Sequence, residues 1–292
     1  MKSHTVPKKL LEQFAYHDAT TSSPRLWRYE KGRAPFGKAR PKGATVVAGH
    51  FADPRNPARE HEIEQRLARE IQEPVNEFIE MLRFETFVLS PAHIRKLTAY
   101  ISLLFTRSRA RQVATEDHVQ IKIESMRKLL ENEDQLSQIA AKWTIDLIED
   151  GQKLDKPVPV EEVIARLTEA IDQHLLDDQV QHDYSGAVER MMTQLDPLMA
   201  DGAWGFVRTT PNEPFVIGDA PVIPWERTSG NRLRYGIGFA RPNVEVVFPV
   251  SPTACIHILP AVNRTSQPII PSTQDINKAQ AAFAVSTDSP MF

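Results

Sequence analysis

Apolar residues recur every three or four positions through the middle of the chain and gather into short β-branched runs towards its C-terminal end. Pro7, followed by Leu10, Leu11 and Phe14, predicts a short helix within residues 6–16. Residues 25–29 alternate polar and apolar, as a strand does. Residues 32–57 are rich in Gly, Pro and Lys and read as a long loop with one strand at 45–48. A charged helix is expected over 58–69, and Pro74 opens another that runs to about Phe87. Ser90-Pro91 pairs an N-cap with proline at the first helical position. The helix it opens places Ile94, Leu97, Ile101, Leu104, Phe105 and Ser108 on one face. Thr115 is the expected cap of a further long helix, 116–150, stopped by Gly151. Val160, Val163, Ile164, Leu167, Ile171 and Leu175 form an amphipathic stripe, and Val188, Met191, Met192 and Leu195 another.

After residue 202 the period shortens. Runs at 204–210, 215–217, 233–239, 244–248 and 255–259 are separated by Pro, Gly, Asn and Ser. The connections are too short for helical crossovers, so the strands are expected to pair antiparallel. Thr273 or Asp275 is placed to cap a last helix over 276–284. The changeover from helix to strand falls on Trp204–Pro224, where Phe215-Val216-Ile217 delivers Asp219 into a turn between Gly218 and Ala220-Pro221. The pattern as a whole predicts a single α+β domain over 1–292. A helical body, 58–202, precedes a small C-terminal antiparallel sheet, and the N-terminal segment, 1–57, packs against that sheet.

Composition narrows the class. Apolar residues make up 41% and charged residues 25%, the balance of a globular protein rather than a disordered one. No apolar stretch approaches the length of a membrane span, and the basic start, MKSHTVPKK, lacks an apolar core behind it. With one cysteine, Cys255, no intrachain disulfide can form, and a cytoplasmic setting is expected. Cys255 stands in an apolar run and reads as a buried, inert thiol. The net charge of −3 hides an asymmetry: residues 1–45 hold ten Lys/Arg and three acids, whereas residues 116–202 hold eight Lys/Arg and twenty acids. A basic N-terminal segment suits a phosphate-containing ligand or a nucleic acid as partner. It suits the acidic helices of its own chain equally well.

Phosphate-loop, dinucleotide, zinc-protease and nucleophile-elbow signatures are all absent. The nine histidines include no helical i,i+4 pair, so no single segment proposes a zinc site, and the pattern leaves the cofactor open. Three features remain. His4 precedes the first helix, where it can serve as a general base or simply bond a neighbour. Arg107 and Arg111, one helical turn apart, can clamp a carboxylate or phosphate, or bridge to the acidic helices. Asp219 can act as an acid–base group or as an ordinary turn residue.

The order of motifs resembles a bacterial family known as domain of unknown function 4238. The resemblance rests on His4-Thr5-Val6-Pro7 with Leu10-Leu11 and Phe14, on Leu26 to Lys31, on Phe105-Thr106-Arg107, on Trp204 with Pro214 to Val222, and on Phe248-Pro249-Val250-Ser251-Pro252. Two positions depart from the family's pattern. Thr5 replaces the usual aromatic after the histidine, and Gly218 stands where a serine or threonine usually precedes the aspartate. The family implies no established reaction. The residues themselves suggest an enzyme acting on a phosphate-containing or nucleic-acid substrate, with His4 and Asp219 catalytic and Arg107 and Arg111 binding substrate. The alternative is a non-catalytic interaction module, in which the same side chains form a structural network.

Overall fold

A computed structural model describes residues 2–17, 23–30, 36–48, 65–175, 198–227, 233–235, 239, 241, 243–260, 270–283 and 290–291. The N-terminal elements are β1 (Lys2–His4), α1 (Lys8–Glu12), β2 (Tyr16–His17), β3 (Pro24–Glu30), β4 (Phe36–Ala39), α2 (Pro41–Ala44) and β5 (Val46–Ala48). A π-turn, Ala68–Gln72, leads into α3 (Glu73–Asn76) and a 3-10 turn, Ile79–Arg83. Then come α4 (Pro91–Thr106), α5 (Arg109–Leu130), α6 (Glu133–Glu149) and α7 (Val160–Leu175). The C-terminal elements are β6 (Ala203–Arg208), β7 (Ile223–Arg227), β8 (Leu233–Tyr235), β9 (Val244–Ser251), β10 (Ala254–Leu259), α8 (Thr273–Phe283) and β11 (Pro290–Met291). The chain is α+β.

Two compact units emerge, one of residues 1–112 with 185–292, the other of residues 113–184. The first is built on a five-stranded antiparallel sheet in the order β6-β10-β9-β7-β8. Strict alternation along β9 and β10 gives it two apolar faces. Val246, Phe248, Val250, Ala254, Ile256 and Ile258 share a core with Val6, Leu10 and Leu11 near the N-terminus and with Leu97, Tyr100, Ile101 and Leu104 of α4. The N-terminal segment therefore does pack against the sheet. On the other face, Ile223, Trp225, Val247 and Cys255 pack with Ile276 and Ala279 of α8. Two smaller pairings complete the unit: β1 with β5, and β3 with β2, β4 and β11. Arg208 ties the sheet edge to the 3-10 turn, donating to the carbonyls of Leu82 at 2.9 Å and Phe84 at 3.0 Å.

In the second unit, Leu136, Ala140 and Val163 form one small core, with Trp143 and Leu167 against it, and Ile123 and Ile171 form another. Asn132 caps α6 by accepting from Gln135 N–H at 3.0 Å. Gly151, at φ 81°, ends it, and Gln152 N–H reaches back to the Leu147 carbonyl.

Several expected boundaries are corrected. The helix opened by Ser90 stops at Thr106, and the next begins at Arg109 and runs to Leu130, so Thr115 is interior rather than a cap. The segment from Pro74 divides at Glu77–Phe78. Residues 36–48 hold two strands and a helical turn where one strand was expected. Residues 215–217 belong to no strand, whereas 223–227 do. Pro224 is tolerated there because β8 pairs only with Trp225 to Arg227, so the missing N–H removes no bond on that side. The last helix begins at Thr273, and its cap is Ser272: Ser272 Oγ accepts from Asp275 N–H, and Asp275 Oδ2 accepts from Ser272 N–H. The helix expected over 188–195 and most of that over 58–69 lie outside the described residues.

Candidate functional site

The first half of the site comes from the chain start. His4 is the last residue of β1, paired with Val46 of β5. Thr5 and Thr45 then lock the segment: Thr5 N–H and Oγ1–H both donate to the Thr45 carbonyl, and Thr45 Oγ1 donates to the Val6 carbonyl at 2.9 Å. Thr5, the departure from the family's aromatic, thus serves as a hydroxyl latch. The backbone of His4 is fixed by these bonds; its side chain lies outside the described residues.

Arg107 comes from the end of α4. That helix is secured at its start by Ser90, whose Oγ accepts from His93 N–H while His93 Nδ1 accepts from Ser90 N–H. From Leu97 onward nearly every side chain is buried, polar ones included. Thr106 Oγ1 donates to the carbonyls of Ser102 and Leu103, and Ser108 Oγ donates to that of Phe105. These hydroxyls satisfy carbonyls that the helix end would leave bare. Arg107 is the C-cap and only 1% exposed. A permanent positive charge at the negative end of a helix dipole is favourable, but its removal from water is costly without an anionic counterpart. Two turns earlier, the Tyr100 hydroxyl is sealed from solvent and has no hydrogen-bond partner among the described residues. Burial pushes its pKa well up, and the Arg107 charge opposes that shift. The helix break corrects the expected arginine pair: Arg111 lies on α5, not one turn along the same helix, and its side chain is outside the described residues.

Asp219 comes from the loop between β6 and β7. Ile217, Ala220 and Val222 are buried around it, and Asp219 itself is 5% exposed. The loop is held by side-chain amides of α8, which stand in for a neighbouring strand. Asn277 Oδ1 accepts from Val216 N–H at 3.0 Å, and its Nδ2 donates to the Pro214 carbonyl at 2.9 Å. Gln280 Oε1 accepts from Gly218 N–H at 2.9 Å, and its Nε2 donates to the Pro221 carbonyl at 3.0 Å. Asp219 is thereby framed on both sides. Gly218 sits close beneath this amide: a Cβ there would lie 3.0 Å from Gln280 Oε1.

The three segments meet in one core. Val6, Leu10 and Leu11 after His4, Tyr100, Leu104 and Phe105 before Arg107, and Ile217 and Val222 flanking Asp219 all belong to the same apolar cluster. A cavity of about 440 Å³ lies elsewhere, lined by Glu213, Pro214, Ser272, Thr273, Gln274 and Asn277. Among the described residues, no group of three or more metal-ligating side chains occurs, and no helix is long and apolar enough to cross a membrane.

The sequence reading passed over Tyr100, Gln280 and a buried Glu245–His257 pair. Glu245 and His257 had a signal, since each interrupts an otherwise apolar strand. Gln280 had none beyond its i+3 spacing from Asn277.

Sheet, buried arginine and framed aspartate define an α+β protein whose interior polar residues come from segments far apart in one chain. The chain belongs to the family described as Protein of unknown function (DUF4238), which matches residues 2–287. No curated protein and no solved structure matches it.

Proposed function

We propose that the chain is an enzyme acting on a phosphate-containing substrate, a nucleic acid among the candidates. Arg107 holds the anionic group, and Asp219 and His4 exchange the proton. The observation that carries this reading is the burial of Arg107, whose charge no pH in the physiological range removes. A phosphate oxygen pair matches the fork of a guanidinium. Asp219 supports the reading because its turn is held rigid by Gln280, as a reacting group must be. The basic N-terminal segment supports a phosphate-bearing partner by charge.

A second reading has its own support. Arg107 and Asp219 are both nearly sealed, and neither lines the 440 Å³ cavity. On this reading the polar residues form a buried network that ties the N-terminus to the sheet in a non-catalytic interaction module.

Turnover of phosphomonoesters, phosphodiesters and short RNA and DNA strands separates the two. For the enzyme, Asp219→Asn abolishes turnover while thermal unfolding stays close to the parent. Unfolding of Asp219→Asn, with no turnover in the parent, sinks the enzyme and leaves the structural network.

A further inference from the structure

The sheet carries a second set of ionisable side chains on its other face. Glu245 and His257 are each two residues from members of the α8-facing core, Val247 and Cys255, so alternation turns them to that side. Trp225 stands directly across from Glu245 on β7, and His257 is paired with Val247 on β9, which makes His257 a diagonal neighbour of Glu245. The contacts follow: His257 Nε2 lies 3.0 Å from Glu245 Oε2, and Trp225 Nε1–H donates to the same oxygen at 3.3 Å. Glu245 is 6% exposed and His257 8%.

The chemistry of the partners sets the tautomer. An ionised carboxylate only accepts, so Nε2 carries the proton and the lone pair of the neutral ring is on Nδ1. Nδ1 makes no hydrogen bond among the described residues, and it is not among the side-chain atoms sealed without a partner. Across the ladder on the other side, His257 faces Gly205 of β6, an edge strand. Directly paired residues project to the same face. A Cβ at Gly205 would meet nothing within 4 Å, so the absent side chain leaves open space beside the imidazole.

We propose that Glu245 and His257 form an acid–base centre in which His257 Nδ1 takes a proton from a hydroxyl, thiol or water of a small ligand entering over Gly205. The proton leaves the ligand's X–H bond for Nδ1, the ligand atom keeps the electron pair, and the imidazolium is held by the Glu245 carboxylate. Trp225 fixes the carboxylate without titrating. Arg107 of the proposed phosphate site follows α4, which packs on the opposite face, with Tyr100 against Phe248.

Diethyl pyrocarbonate tests the claim on the intact folded chain, with the rate at His257 read by peptide mass spectrometry. His257 is expected to react without unfolding. Glu245→Gln slows it by about tenfold or more, because the amide no longer holds the ring with Nδ1 turned to the open space. Gly205→Val, which fills the open space, protects it while thermal unfolding is unchanged. Reaction of His257 only at the rate of global unfolding, or an unchanged rate in Gly205→Val, overturns the proposal. Should Glu245→Gln fail to fold, the parent and Gly205→Val decide the matter.

Discussion

Tyr100 and Gly218 show how single residues in this interior are set by what surrounds them. The Tyr100 hydroxyl has no partner among the described residues, and a buried polar group left so costs about 1–3 kcal/mol. Tyr100→Phe is therefore expected to hold or raise stability at neutral pH, as urea unfolding would register. Its stabilising effect grows at high pH. The folded phenol keeps its proton well above the ordinary value of 10.0, whereas the unfolded phenol releases it near there. Stability is intact below that pH and lost as pH rises past it. Tyr100→Phe should flatten this alkaline decline, and an equally steep decline in the variant contradicts the assignment. Cys255 behaves alike: burial pushes its thiol up, so the native chain should resist alkylation until it unfolds. Gly218 lies against the amide of Gln280, to which its N–H donates. Gly218→Ser sets a Cβ against Gln280 Oε1 and should cost on the order of 1 kcal/mol in urea unfolding.

At the scale of elements, α8 does the work of a strand for the loop that holds Asp219. Gln280→Ala leaves Gly218 N–H and the Pro221 carbonyl without their partners, a loss of about 2–4 kcal/mol by the same buried-group cost. An effect below about 0.5 kcal/mol in urea unfolding would mean that the loop holds itself. This substitution for a strand also explains why periodicity misplaced residues 215–217. Their apolar alternation is real, but the backbone bonds go to side-chain amides from sixty residues away. The break after Thr106 escaped notice for a related reason. No Gly or Pro marks it; hydroxyls of Thr106 and Ser108 cover the carbonyls instead. By contrast, Ser90-Pro91, Gly151 and the stripe from Val160 to Leu175 carry their signals locally, and the helix start, the helix stop and the helix they mark fall where the sequence puts them.

Across the whole molecule, the chain's beginning is part of the core around its C-terminal sheet. Leu10→Ala removes a side chain with no exposed surface and should cost about 2–5 kcal/mol, measured by chemical unfolding. A cost near zero would detach the first helix from the core. The α+β class and the docking of the N-terminal segment were legible in apolar periodicity and in the shift to short runs after residue 202. The convergence of segments bearing His4, Arg107 and Asp219 was signalled only by shared motif order, because no local pattern encodes contacts between the ends of a chain. Arg107 and Arg111 stand on either side of a helix break, so the one-turn spacing read from the sequence does not hold.

A structure of the intact chain determined with inorganic phosphate tests the proposed site most directly. The account predicts the anion on the Arg107 guanidinium, with the Asp219 carboxylate and the His4 imidazole turned towards it. An Arg107 bonded only to groups of its own chain, with phosphate absent or bound elsewhere, would contradict it.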